Sequence, residues 1–198
     1  MRGVKVRVKK FLLFLLSFFF VIFTSCNAGG AMSEELSQSL SSMTHAEYTA
    51  KITASFPSRE ATFVINYSHS PEGDRASVIS PGEVAGVSYT VSDGGATLSF
   101  DDAILEIGKL SDGGLSPFSC TGDLIGAWKS GSFDEVTPTS MFGKEALLAI
   151  TRKTENDTET EYRTWFSKED FLPLYAEIFS DGNRVIQCEF ERSLHNKR

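Results

Sequence analysis

The side chains of this 198-residue chain that could do chemistry are few: three cysteines, three histidines and some adjacent acids. His45 falls at a helix–strand junction, His69 at a turn and His195 near the C-terminus, and no two share a metal-ligand spacing such as H-E-x-x-H. The acid pairs Asp101-Asp102 and Glu169-Asp170 sit at strand ends, where solvated turn acids are the rule. Glycoside hydrolysis needs carboxylates facing each other across a cleft, which adjacency does not supply. There is no G-x-S-x-G elbow, no glycine-rich phosphate loop and no dinucleotide fingerprint. No catalytic residue, metal or cofactor is therefore expected. Cys120 and Cys188 are left as a pair: a disulfide would explain them, and so would two small buried hydrophobes. Two cysteines without paired histidines do not make a zinc site.

The third cysteine has a different setting. Met1–Lys10 carries Arg2, Lys5, Arg7, Lys9 and Lys10 and no acid, and Phe11–Phe23 is apolar except for Ser17. The run stops at Thr24-Ser25-Cys26 and a polar Asn27 follows. A basic segment, a short apolar segment and a small-residue stop make a secretory signal, too short to span a bilayer comfortably. Phe23-Thr24-Ser25-Cys26 resembles the lipobox of bacterial lipoproteins, with Phe where Leu is usual. That resemblance implies that residues 1–25 are removed and that Cys26 is diacylated and becomes the mature N-terminus. Two acyl chains would anchor the protein stably to a membrane outside the cytoplasm, the cell membrane or an outer membrane. The leader takes five bases with it, leaving 14 Lys and Arg against 26 Asp and Glu. A domain that acidic repels phosphate backbones and anionic headgroups, which excludes nucleic acid and a broad electrostatic membrane footprint.

Past a short tether at 26–32, the elements that would position a site follow from periodicity. Leu36, Leu40 and Met43 fall on one helical face, with Ser33 as N-cap, so the spacing predicts a helix over 33–44. From Glu47 the period becomes two. Strands are expected at 48–56, 63–67, 75–79, 87–91, 96–100, 104–110, 133–136, 145–152, 160–167, 172–179 and 184–191. Turns are expected at Pro57-Ser58, Pro71-Glu72, Pro81-Gly82, Asp93-Gly94, Asp112-Gly113-Gly114, Asn156-Asp157 and Asp181-Gly182. Between them Leu115–Trp128 reads as helical, with Pro117 near its start and Gly122 and Gly126 weakening it. About ten short strands at this spacing indicate an antiparallel sheet, curled into a barrel or folded as a sandwich. A sheet that curls round two helices and stays partly open leaves an apolar hollow of the kind that takes lipid-like molecules.

The order of elements resembles one family. A Leu-rich helix runs into an alternating strand, and Arg75–Ile79 leads into Pro81. Val91-Ser92-Asp93-Gly94 and Thr97-Leu98 follow, then Ser116-Pro117-Phe118, Trp165-Phe166, Leu172-Pro173-Leu174 and Asp181-Gly182. The set is similar to the outer-membrane lipoprotein carrier (LolA/LolB) superfamily over residues 33–192, leaving 193–198 as a tail. The resemblance implies a mainly β, α+β fold: a half-open antiparallel barrel with helices packed in its concave face. It implies a non-catalytic protein that takes an acyl chain or a lipoprotein into an apolar cavity. Leu40, Ile52, Phe63, Leu98, Phe118, Ile125, Trp128 and Leu148 are the lining expected on this chain. Ser70 stands where the soluble carrier has a basic residue. A chain with its own anchor resembles an acceptor more than a diffusing carrier. Relatives that sense the envelope and dock a membrane-protein partner make up the alternative.

Overall fold

The computed structural model describes residues 28–56, 58–92, 95–106 and 116–191. Cys26 and the leader, Pro57, the Asp93-Gly94 and Asp112-Gly114 turns, His195 and the tail at 193–198 lie outside the described residues. Leu36–Arg198 form one compact unit, and Met1–Glu35 are a second, whose described part is the start of helix α1 (Ala28–Ser41). Helix α1 begins earlier than Ser33 and stops short of Thr44. At its end the Ser42 hydroxyl donates to the Ser39 carbonyl at 2.9 Å, and the Met43 amide donates to Leu40 across a tighter turn at 3.2 Å. Leu36 and Leu40 are buried, as their spacing requires.

Eleven strands follow. They are β1 (Ala46–Phe56), β2 (Arg59–Ser70), β3 (Gly73–Ser80), β4 (Ser88–Ser92), β5 (Gly95–Phe100) and β6 (Ala103–Glu106). After helix α2 (Cys120–Lys129) come β7 (Glu135–Met141), β8 (Lys144–Glu155), β9 (Thr158–Ser167), β10 (Pro173–Ser180) and β11 (Asn183–Glu191). All pair antiparallel in one sheet ordered β6-β5-β4-β3-β2-β1-β11-β10-β9-β8-β7, so the first and last strands meet in its middle. The turns at Asn156-Asp157 and Asp181-Gly182 carry positive φ at both residues, the primed geometry that suits the twist of a hairpin. A third such turn, Phe142-Gly143 (φ 52° and 76°), has no Asn or Asp to announce it. It is why β7 starts at Glu135 and runs to Met141, where the alternation suggests only 133–136. The strand expected at 104–110 is described as far as Glu106.

The sheet is curled and open. The Trp128 indole of α2 packs edge-on against Tyr48 of β1 (6.2 Å between ring centroids), Phe190 of β11 (5.7 Å) and Phe166 of β9 (5.3 Å). In a flat sheet β1 and β9 would stand about 14 Å apart. One ring meets both only because the strands wrap round it. The indole N–H donates to Thr164 Oγ1 at 2.9 Å, so its one polar atom is satisfied in the core. Alanines at 50, 76, 149 and 176 floor the concave face, and their small side chains let α2 lie close. At Gly122 the helix faces Asp74, and a Cβ there would stand at ordinary contact, 3.5 Å from Oδ2. The half-open antiparallel barrel with helices is thus the observed fold, with β6 and β7 as its free edges. Trp128→Ala is expected to cost about 3–5 kcal/mol in urea unfolding, since it removes the ring that holds β1, β11 and β9 on one curve.

Candidate functional site

Register decides which side chains face α2. Tyr48, Ala50, Ile52 and Ala54 of β1 pair with Tyr67, Ile65, Phe63 and Ala61 of β2, and Phe190, Cys188 and Ile186 of β11 lie opposite Ala50, Ile52 and Ala54. These are the concave residues. Of the expected lining, Ile125 and Trp128 lie buried in the packed centre under α2, and Leu40 is buried on α1. Leu148 is corrected. It pairs with Trp165 on the outer face, while its neighbour Leu147 pairs with Phe166 beneath Trp128. Ala146–Ile150 is apolar on both faces, so alternation alone cannot give its parity; only the pairing with β9 does.

Leu98 lies three strands from β2, on the rung of Tyr67, Ala76 and Tyr89, whereas Ile52, Phe63 and Phe118 come together at one end of the barrel. There β1 and β5 end and β2 and β6 begin. Phe63 pairs with Ile52, and Phe118, in the turn before α2, stands 6.0 Å from Phe63 between ring centroids. Leu98 of β5 is half-buried and pairs with Leu105 of β6, which is 60% exposed. Phe100, 44% exposed, lies against the β3–β4 connection at Gly86. The Arg59 guanidinium sits over the ring of Phe56 on the same rim at 5.7 Å. Leu105 and Phe100 were not foreseen as site residues, although the Leu98–Phe100 alternation could have pointed to them.

The opposite end of the concave face is polar. His69 and Asp74 face each other across the β2–β3 hairpin, with Nδ1 and Oδ1 2.5 Å apart, and Lys129 at the end of α2 lies 2.7 Å from His69 Nε2. With Lys129 donating to Nε2, the ring must carry its proton on Nδ1 and donate to Asp74. Gly73 fixes this corner: its φ is +139°, and a Cβ would fall 2.1 Å from the Val91 carbonyl oxygen. Close by, the buried Tyr67 hydroxyl lacks a well-formed hydrogen bond. Burial first, and the neighbouring Asp74 carboxylate second, push its pKa well up. On α2, burial raises the Asp123 carboxyl above the ordinary range, opposed by Lys153 and by the Ser119 hydroxyl. Sequence reasoning read His69 as a turn residue. The five-residue spacing across Pro71-Glu72 places it opposite Asp74, but nothing local brings in Lys129.

Among the described residues two open clefts have mixed polar and apolar walls, and neither is an apolar hollow. One, of about 390 Å³, lies along Thr49, Asn66, Ser68, Arg75 and Ser77 on the outer face, and the other, of about 340 Å³, lies at the polar end along His69, Asp74, Val91 and Ser92. Beneath α2 the concave face is filled by side chains. Among the described residues no group of three or more His, Cys, Asp or Glu could hold a metal ion.

No protein-family model matches the chain, and no curated protein matches it. Solved structures do. A domain assigned to an outer membrane lipoprotein-sorting protein of Vibrio parahaemolyticus is 12% identical, over 86% of this chain and 94% of its own, with a TM-score of 0.47. A LolA superfamily protein from Nitrosomonas europaea is 10% identical over 86% and 94%, at 0.44. LprF from Mycobacterium bovis is 9% identical over 85% and 93%, at 0.46. These are likenesses in the path of the chain at low identity, and nothing finer is drawn from them.

Two predictions follow from the polar residues. His69→Ala leaves Lys129 and Asp74 without their shared partner and is expected to cost about 1–2 kcal/mol in urea unfolding. Asp123 has a raised folded pKa, so its contribution to stability is full below the ordinary carboxylate range and is lost as pH rises through the raised value. Asp123→Asn should therefore be more stable than the parent at pH 7, with the gap closing below about pH 4. Unfolding midpoints at the two pH values check it.

Proposed function

We propose that this protein is exported, anchored to a membrane by a lipid on Cys26, and binds an acyl chain of a lipid or lipoprotein at the apolar end of its concave face. The observation that carries the reading is the apolar surface of the concave side, where Ile52, Phe63 and Phe118 cluster and Phe100 and Leu105, farther across the sheet, are left exposed. An acyl chain laid there gains about 0.8 kcal/mol for each methylene it buries. The binding is non-covalent, and the anchored chain acts as an acceptor held outside the cytoplasm. The leader and the Thr24-Ser25-Cys26 stop support the anchor. The filled centre under Trp128 favours a second reading, in which the solid domain docks a membrane-protein partner through its surface.

Native mass spectrometry separates the two. The Cys26→Ser chain, exported by its own leader and purified without detergent, is expected to carry extra mass that solvent extraction identifies as lipid. A bare chain that stays bare after incubation with palmitate and with a diacylated lipopeptide overturns the acyl-binding reading and leaves the docking one. Leu105→Asp is expected to retain several-fold less lipid with an unchanged unfolding midpoint, because Leu105 contributes little to the core. Leu148→Asp, on the outer face, is expected to retain lipid as the parent does. Ile125→Asp, only 2% exposed, is expected to unfold. Labelled palmitate fed to the cells should mark the parent chain and leave Cys26→Ser unlabelled.

A further inference from the structure

Two buried thiols take no part in either end of the concave face. Cys188 lies on β11 between Ile52 of β1 and Ala176 of β10, all three fully buried on the concave side. Cys120 is the first residue of α2 and is also fully buried. The segment that delivers it is fixed: the Cys120 amide donates to the Ser116 carbonyl at 2.9 Å, and Phe118 packs on Phe63. Its sulfur stands 3.4 Å from the Pro117 carbonyl oxygen, and the Phe63 on which Phe118 packs pairs with Ile52, the β1 partner of Cys188. Both are free thiols, and no third ligand type accompanies them among the described residues. A buried pair like this, joining two separate elements, has the placement of a cross-link.

We propose that Cys120 and Cys188 form a disulfide that fastens helix α2 to strand β11. The inference is independent of what binds at the apolar end. The oxidant is a disulfide such as glutathione disulfide. Its S–S bond breaks, one S–S bond forms between Cys120 and Cys188, and two glutathione thiols are released with the two protons. Exchange requires a thiolate. In the folded chain the hydrogen bond with the Cys188 thiol, and then burial, push the Cys120 thiol well above its ordinary range, so it stays protonated and out of reach. An exported chain folds in a compartment that permits the bridge.

The test is refolding. The full-length chain is reduced, unfolded and refolded in a mixture of glutathione and glutathione disulfide, then quenched with iodoacetamide and mapped by peptide mass. A Cys120–Cys188 linked peptide in most molecules is the expected result. Carbamidomethylation of both residues, or a bridge from either to Cys26, overturns the proposal. A second readout does not depend on mapping. The urea midpoint of the refolded parent should fall when dithiothreitol is present during unfolding, while that of the Cys120→Ala/Cys188→Ala chain should not respond. A parent midpoint indifferent to dithiothreitol overturns the proposal as well.

Discussion

The Trp128 indole donates its one proton to Thr164 Oγ1 while its ring edges meet Tyr48, Phe166 and Phe190. Strands β1 and β9, which a flat sheet would hold about 14 Å apart, are thereby brought round a single side chain together with β11. The rest of the packing answers to that seat. Alanines replace larger residues along the floor, and at Gly122 α2 faces the β3 carboxylate of Asp74. A larger side chain at those alanines would press on the helix, because interiors packed this densely yield little.

With its middle filled, the concave face is left with two ends of opposite character. The end where β1 and β5 finish carries phenylalanines, of which Phe56 and Phe100 are exposed to water. The end where β2 finishes holds a lysine, a histidine, a carboxylate and an underbonded tyrosine hydroxyl. Exposed apolar surface carries a standing cost in water, and a protein that keeps it at one place usually covers it with something. The polar end ties the last residue of α2 to the β2–β3 hairpin. The helix is thus held at its Lys129 end by hydrogen bonds and along its length by packing.

How much of this was legible in the sequence depended on whether a pattern was local. Alternation from Tyr48 to Phe56 gave β1 and its inward residues directly, and the Asn-Asp and Asp-Gly turns gave their hairpins. The Phe142-Gly143 turn stayed hidden because a phenylalanine at positive φ is uncommon. Leu148 was put on the wrong face because Ala146–Ile150 is apolar throughout, and its parity is settled only by pairing with β9. The lysine–histidine–aspartate contact joins residues 60 apart in the chain, and no local spacing announces it. The filled centre was beyond reach for a related reason: the same phenylalanines and alanines would line a hollow or pack a core, according to how closely one helix approaches.

The pairing of β1 with β11 places the earliest strand beside the latest, with Thr49 opposite Glu191. Contacts this distant in sequence form late, since a long loop must close before they give anything back. The middle of the sheet is the last part of it that a growing chain can complete. Until Glu191 has emerged, β1 has a neighbour on one side only, and the hairpins on either flank have nothing to join them. The centre of such a sheet can set only once the far end of the chain has arrived.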